Sequence, residues 1–96
     1  MLLKEIKKIL NKHKKDLFLR GVRGLAIFGS TARNEAKAAS DVDILIDFDS
    51  KKGLFVFVEL KNYLENLLKC DVDLVTKGAL HPALKQQILR EAKNVF

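Results

Sequence analysis

The sequence has a single cysteine, Cys70, a single proline, Pro82, and no apolar run near the roughly 18–20 residues of a membrane span. A lone thiol excludes an internal disulfide. The first residues, Met1 to Ile6, are charged from Lys4 onward and show neither the apolar core nor the cleavage site of a signal peptide. These absences set the expectation of a reduced, cytoplasmic protein without membrane contact. Aromatics are also missing among Lys4, Lys7, Lys8, Lys12, Lys14 and Lys15, where base stacking would need them. That basic run reads as a solvated helix face or a docking surface for an acidic protein; direct nucleic-acid binding is not expected.

What is present describes a small folded domain. The 96 residues suffice for one domain, 1–96, with 48% apolar and 31% charged residues. Lys and Arg number 18 against 12 Asp and Glu, a net charge of +6. A chain of this size buries only about 60–70% of its unfolded surface, so its core is modest.

Apolar residues Leu2, Leu3, Ile6, Ile9, Leu10, Leu17 and Phe18 predict a helix over residues 2–20 with one buried stripe. Gly21 and Gly24 bracket a turn, and residues 25–28 read as a short buried strand ended by Gly29-Ser30. Residues 31–39, rich in Ala, predict a short helix or turn. In the next strand Val42, Ile44, Ile46 and Phe48 share the core-facing parity, and Asp41, Asp43, Leu45, Asp47 and Asp49 take the other. A helix over about 54–69, a strand over 72–75 and a closing helix opened by Pro82 complete the chain. The predicted class is α/β or α+β, a small mixed sheet flanked by helices.

Gly29-Ser30, followed after ten residues by Asp41-x-Asp43, carries the chemistry. Carboxylates at i and i+2 of a strand point to the same side, with Cα atoms roughly 6.5–7 Å apart. Such a pair suits a hard cation like Mg2+, which takes oxygen ligands and leaves positions for substrate phosphates. Asp47 is roughly 13 Å beyond Asp43 and cannot share its ion, so Asp47 and Asp49 read as surface or strand-end residues. A third carboxylate is Asp71 or Asp73, which parity does not separate. Gly29 lets a phosphate approach the backbone, and the Ser30 hydroxyl and following amides can donate to it.

Gly29-Ser30-Thr31-Ala32-Arg33, Ser40-Asp41-Val42-Asp43-Ile44-Leu45-Ile46 and Val72-Asp73-Leu74-Val75 together resemble a minimal nucleotidyltransferase of the DNA polymerase β-like superfamily. The resemblance implies that fold, with Asp41 and Asp43 holding two Mg2+ ions and Asp73, followed by Leu74-Val75, as the third catalytic carboxylate. It also implies Ser30 on the β- and γ-phosphates of ATP. Gly29 and Arg33 join it as nucleotide-binding candidates, the alternative for Arg33 being an ordinary exposed arginine. One departure is Asn34, where the family usually has glycine. Minimal members are typically paired with a helical HEPN RNase toxin. The implied activity is therefore that of an antitoxin: a protein adenylyltransferase moving AMP from ATP to a toxin tyrosine within a hetero-oligomer. Two alternatives are a non-catalytic antitoxin acting by binding alone, and transfer to a small molecule or RNA end. Cys70, His13, His81 and Tyr63 receive no catalytic role.

Overall fold

The structure is a computed structural model that describes residues 2–33 and 41–96. The helices are α1 (Leu3–Lys12), α2 (Lys14–Leu19), α3 (Gly29–Ala32), α4 (Gly53–Leu68) and α5 (Pro82–Glu91). The strands are β1 (Val22–Phe28), β2 (Val42–Phe48), β3 (Val72–Thr76) and β4 (Lys93–Asn94), and two 3-10 turns span Ser50–Lys52 and Lys77–Ala79. The strands form one sheet in the order β3-β2-β1-β4. β1 is antiparallel to β2 and β4, whereas β2 and β3 are parallel. A parallel pair needs a long crossover, and α4 supplies it. This is the mixed, helix-flanked sheet expected from the sequence, with the two-residue β4 added at its edge. Among the described residues no helix is long and apolar enough to cross a membrane.

The core lies on one side of the sheet. Leu25 and Ile27 of β1, Val42, Ile44 and Ile46 of β2, and Val72 and Leu74 of β3 pack against Ile6, Leu10, Leu17, Leu60, Leu64 and Leu68 of the helices. Parity along β2 is as predicted, and the half-buried Phe48 meets Phe57 edge-on, with ring centroids 5.6 Å apart. The strand-like run Leu54 to Val58 is helical. Asp49 caps the preceding turn by accepting from the Lys51 amide at 3.1 Å, and Gly53 turns the chain into α4 with φ 83°. Leu45 and Ala26, on the other side of the sheet, are buried as well, where α3 and the Lys77–Ala79 turn pack against β2.

Three expectations need correction. The predicted helix over 2–20 breaks at His13, whose φ of −107° and ψ of 19° end α1 and begin α2. Its Nδ1 pairs with the Ile9 carbonyl at 2.9 Å. Leu17, beyond the break, still reaches the core, whereas Leu2, before α1, and Phe18 are exposed rather than buried. β1 begins at Val22, not Leu25, and Gly24 lies inside the strand rather than at a turn. A register shift between Val22 and Gly24 lets Val22 join the core although it is out of phase with Leu25 and Ile27. Lastly, a short helix, α3, already begins at Gly29, where the strand was expected to end, and only residues 31–33 of the predicted helix or turn over 31–39 are described; residues 34–40, Asn34 included, lie outside the described residues.

The end of α4 generates a stability prediction. Lys69 caps it in the left-handed region, φ 56° and ψ 39°, where glycine is usual. A side chain there costs roughly 1–2 kcal/mol, partly offset by the extra chain entropy that glycine loses on folding. Lys69→Gly is expected to raise stability by about 0.5–1 kcal/mol in thermal or urea unfolding.

Candidate active site

The site forms where β1 ends and β2 and β3 begin. In the parallel ladder Asp43 stands opposite Asp73. Residues paired in this way on adjacent strands project to the same side, so Asp73 is the acid that stands directly beside Asp43. Asp71 precedes β3 and contributes its carbonyl, which accepts from the Val42 amide at 3.0 Å. Across the antiparallel ladder Asp43 faces Phe28, the residue before Gly29. Three segments distant in sequence thus meet around one half-buried carboxylate.

The electrostatics of that carboxylate are unfavourable. Burial, then the charge of Asp73 and a hydrogen bond shared with it, then the charge of Asp41, push the Asp43 carboxyl above its ordinary value of 3.8; Arg33 opposes them. A hydrogen bond between two carboxyl groups requires a proton on one of them. A divalent cation would replace that proton and bind to an all-oxygen donor set, which fits a hard ion such as Mg2+. Among the described residues no group of three His, Cys, Asp or Glu side chains forms a ready-made cage. The tight unit is Asp43 with Asp73, and Asp41, exposed just before β2, acts on it more weakly.

Gly29 opens α3 with φ 70°, a left-handed conformation. A Cβ there would stand 3.1 Å from the Asp43 Cγ and closer still to its Oδ2. Glycine is required twice, by the backbone and by the approach of the Asp43 carboxylate. Ser30 is the second residue of α3 and Thr31 the third. Thr31 is buried, and its hydroxyl has no hydrogen-bond partner among the described residues. Arg33 caps α3, and its Nη1 lies 3.4 Å from Glu91 Oε2 of α5. Glu91 is 58 positions away in sequence. Packing of α5 beside α3 brings it to the site.

The remaining candidates fall elsewhere. Asp47 is exposed, and Asp49 pairs with Arg23 at 3.0 Å. His81 caps α5, its Nδ1 accepting from the Ala83 amide at 3.1 Å, as its place before Pro82 suggests. Cys70 packs against the core, and burial pushes its thiol up. Tyr63 also lies against the core, and burial raises its phenol, which donates to Asp16 at 3.4 Å.

Two predictions follow from the crowding around Asp43. Because its pKa is raised on folding, the native state binds the proton more tightly than the unfolded chain. The stability that this contributes is complete below the ordinary carboxylate value and is lost as pH rises through the raised one. In EDTA, Asp43→Asn is therefore expected to be more stable than the parent near neutral pH, by about 0.2–1 kcal/mol. That gap should close on acidification toward the ordinary value of 3.8, as read by melting temperature against pH. Gly29→Ala meets both the backbone penalty and the carboxylate, and is expected to cost at least about 1–2 kcal/mol in the same assay.

Comparison with known proteins agrees with this geometry. A family model for the nucleotidyltransferase domain matches residues 3–95. The protein adenylyltransferase MntA of Thermococcus cleftensis is 51% identical over 90 residues, covering 93% of this chain and 91% of that protein. A solved structure described as a minimal nucleotidyltransferase superposes with a TM-score of 0.85 at 35% identity, over 97% of this chain and 95% of the other. A chain from the Shewanella oneidensis complex of a tri-AMPylated HEPN toxin with an MNT antitoxin superposes with a TM-score of 0.68 at 25% identity, over 95% of this chain and 71% of the other. The motifs around Gly29, Asp43 and Asp73 therefore sit within a match that spans nearly the whole chain, and the chain belongs to the nucleotidyltransferase domain family of enzymes.

Proposed function

We propose that this chain, acting as one domain over residues 1–96, is a Mg2+-dependent protein adenylyltransferase and an antitoxin that transfers AMP from ATP to a tyrosine of a HEPN toxin. The observation that carries the reading is the pairing of Asp43 with Asp73 beside Gly29. Support comes from the relative that is 51% identical and bears the name protein adenylyltransferase. An AMPylated HEPN toxin in complex with an MNT antitoxin supplies the acceptor class.

In this reading Asp41, Asp43 and Asp73 hold the metal, which when bound neutralises charge on the triphosphate and activates the attacking hydroxyl. Gly29 leaves room for a phosphate against the backbone, and Ser30 donates its hydroxyl to the β- and γ-phosphates. The first amides of α3 have no intrahelical acceptor and are available to the same oxygens. Arg33 adds positive charge at the rim. The tyrosine oxygen forms a bond to the α-phosphorus while the bond to the bridging oxygen breaks and pyrophosphate leaves. Asp73 helps to take the hydroxyl proton. Positioning and charge balance supply most of the rate in such a transfer. Each added phosphate places negative charge at the toxin's RNA-binding site and repels RNA.

The test is an intact-mass measurement on a purified HEPN partner incubated with this chain, ATP and Mg2+. The partner is expected to gain AMP-sized increments. Asp41→Ala with Asp43→Ala should slow the gain by at least about a hundredfold, since removing metal ligands forfeits several kcal/mol of transition-state stabilisation. Neutralisation of the toxin without any mass gain, retained in that double variant, would refute transfer and leave an antitoxin that acts by binding.

A further inference from the structure

The catalytic carboxylates occupy one end of the sheet, and the opposite end carries the three most exposed large apolar side chains among the described residues, Phe55, Leu54 and Leu19, with Phe18 and Val58. Phe55 is 87% exposed, Leu54 75%, Leu19 71%, Phe18 55% and Val58 48%. Leu54, Phe55 and Val58 are spaced to share one face of the first turns of α4, away from the core-facing Leu60, Leu64 and Leu68. Phe18 and Leu19 end α2. A large apolar patch of this kind marks an interaction surface rather than scattered surface leucines.

The two pieces are held together. Arg23 lays its guanidinium over the Phe18 ring, 4.4 Å from the centroid, and donates to the Phe18 carbonyl at 3.0 Å. Its other nitrogen pairs with Asp49 at 3.0 Å, just before the turn that leads into α4. The Gly21 carbonyl accepts from the Asp49 amide at 2.8 Å. These contacts, with Lys52 beside Gly21, set the end of α2 next to the turn that leads into α4.

Charge selects its occupant. Lys15, Lys51 and Lys52 are exposed around the patch and lack a carboxylate partner among the described residues. Asp49 is committed to Arg23 and Asp16 of α2 accepts from Tyr63, which leaves Glu59 as the exposed acid on that stretch of α4. A second copy of this chain would bring lysine against lysine, and the whole molecule carries +6. An apolar surface rimmed by Asp and Glu is complementary in both respects.

We propose that the end of the molecule formed by Phe18, Leu19, Leu54, Phe55 and Val58 is a docking surface for a partner protein whose apolar patch is rimmed by carboxylates. The assignment rests on the antitoxin reading for the existence of a protein partner, not on adenylyl transfer. Phe48, at this end of β2, is five residues or roughly 17 Å beyond Asp43. A partner held here leaves the catalytic end open, so holding and modifying the toxin are separable.

The test uses the purified chain and its HEPN partner, with complex formation followed by light scattering and titration at low and high salt. Leu54→Ser with Phe55→Ser, and separately Lys51→Glu with Lys52→Glu, are expected to weaken the complex about tenfold or more. Their melting temperatures should stay at the parent value, because these side chains are exposed. Asp43→Asn should leave the complex intact. A complex unaffected by either pair, no complex at all, or a homodimer that the serine pair dissolves would each overturn the proposal. A patch-dependent complex without AMP transfer would uphold docking and refute transfer, which keeps the two failures distinct.

Discussion

Asp43 and Asp73 are forced together by the parallel pairing of β2 with β3, and the rest of the molecule is arranged around the repulsion between them. Like charges opposite one another on adjacent strands destabilise a sheet. The register is nevertheless held from the other face, where Val42, Ile44 and Ile46 of β2 and Val72 and Leu74 of β3 are buried against α4 and its neighbours. Slipping the pairing by one residue would separate the carboxylates but would turn every one of those apolar side chains outward. The hydrophobic face thereby enforces an electrostatic arrangement that the strands would not adopt on their own.

The same division of faces explains why the functional groups cluster. Core packing occupies one side of the sheet and fixes α1, α2 and α4 there. The other side is left to short elements: α3 after Gly29 and α5 with Glu91 near Arg33 where β1 finishes, and the Lys77–Ala79 turn where β3 ends. Gly29 is the joint between the two halves. It needs a left-handed backbone and must also leave space for the Asp43 carboxylate, so backbone geometry and site chemistry constrain one residue. With Gly29, Asp43 and Asp73 gathered at this end, Phe55 and its exposed neighbours lie at the far one.

Much of this was legible from pattern. Alternation along Val42 to Phe48 identified β2 and its core-facing parity, because a strand buried on one face repeats every two residues. The Asp41-x-Asp43 spacing, Gly29-Ser30 and the helix over about 54–69 were equally local signals. The break at His13 was not, since apolar spacing continues across it and Leu17 beyond it is buried together with Ile6 and Leu10. β4 was hidden for a related reason: two residues carry no periodicity, and Lys93 and Asn94 become a strand only because β1 offers an open edge. Val22 escaped notice because a bulge, invisible to a strict two-residue repeat, rotates it into the core.

For the site, the sequence by itself determined which chemistry was available: oxygen ligands two apart on a strand, a glycine at a strand end, and a third acidic strand left open between Asp71 and Asp73. That ambiguity was inherent, because both residues have the same parity. Only the tertiary structure sets Val42 against Val72 and thus Asp43 directly beside Asp73. It likewise brought Glu91 to Arg33 across 58 positions. Local spacing specifies what a segment can present; partner and register depend on how separate segments bury their apolar faces together, which no single segment encodes.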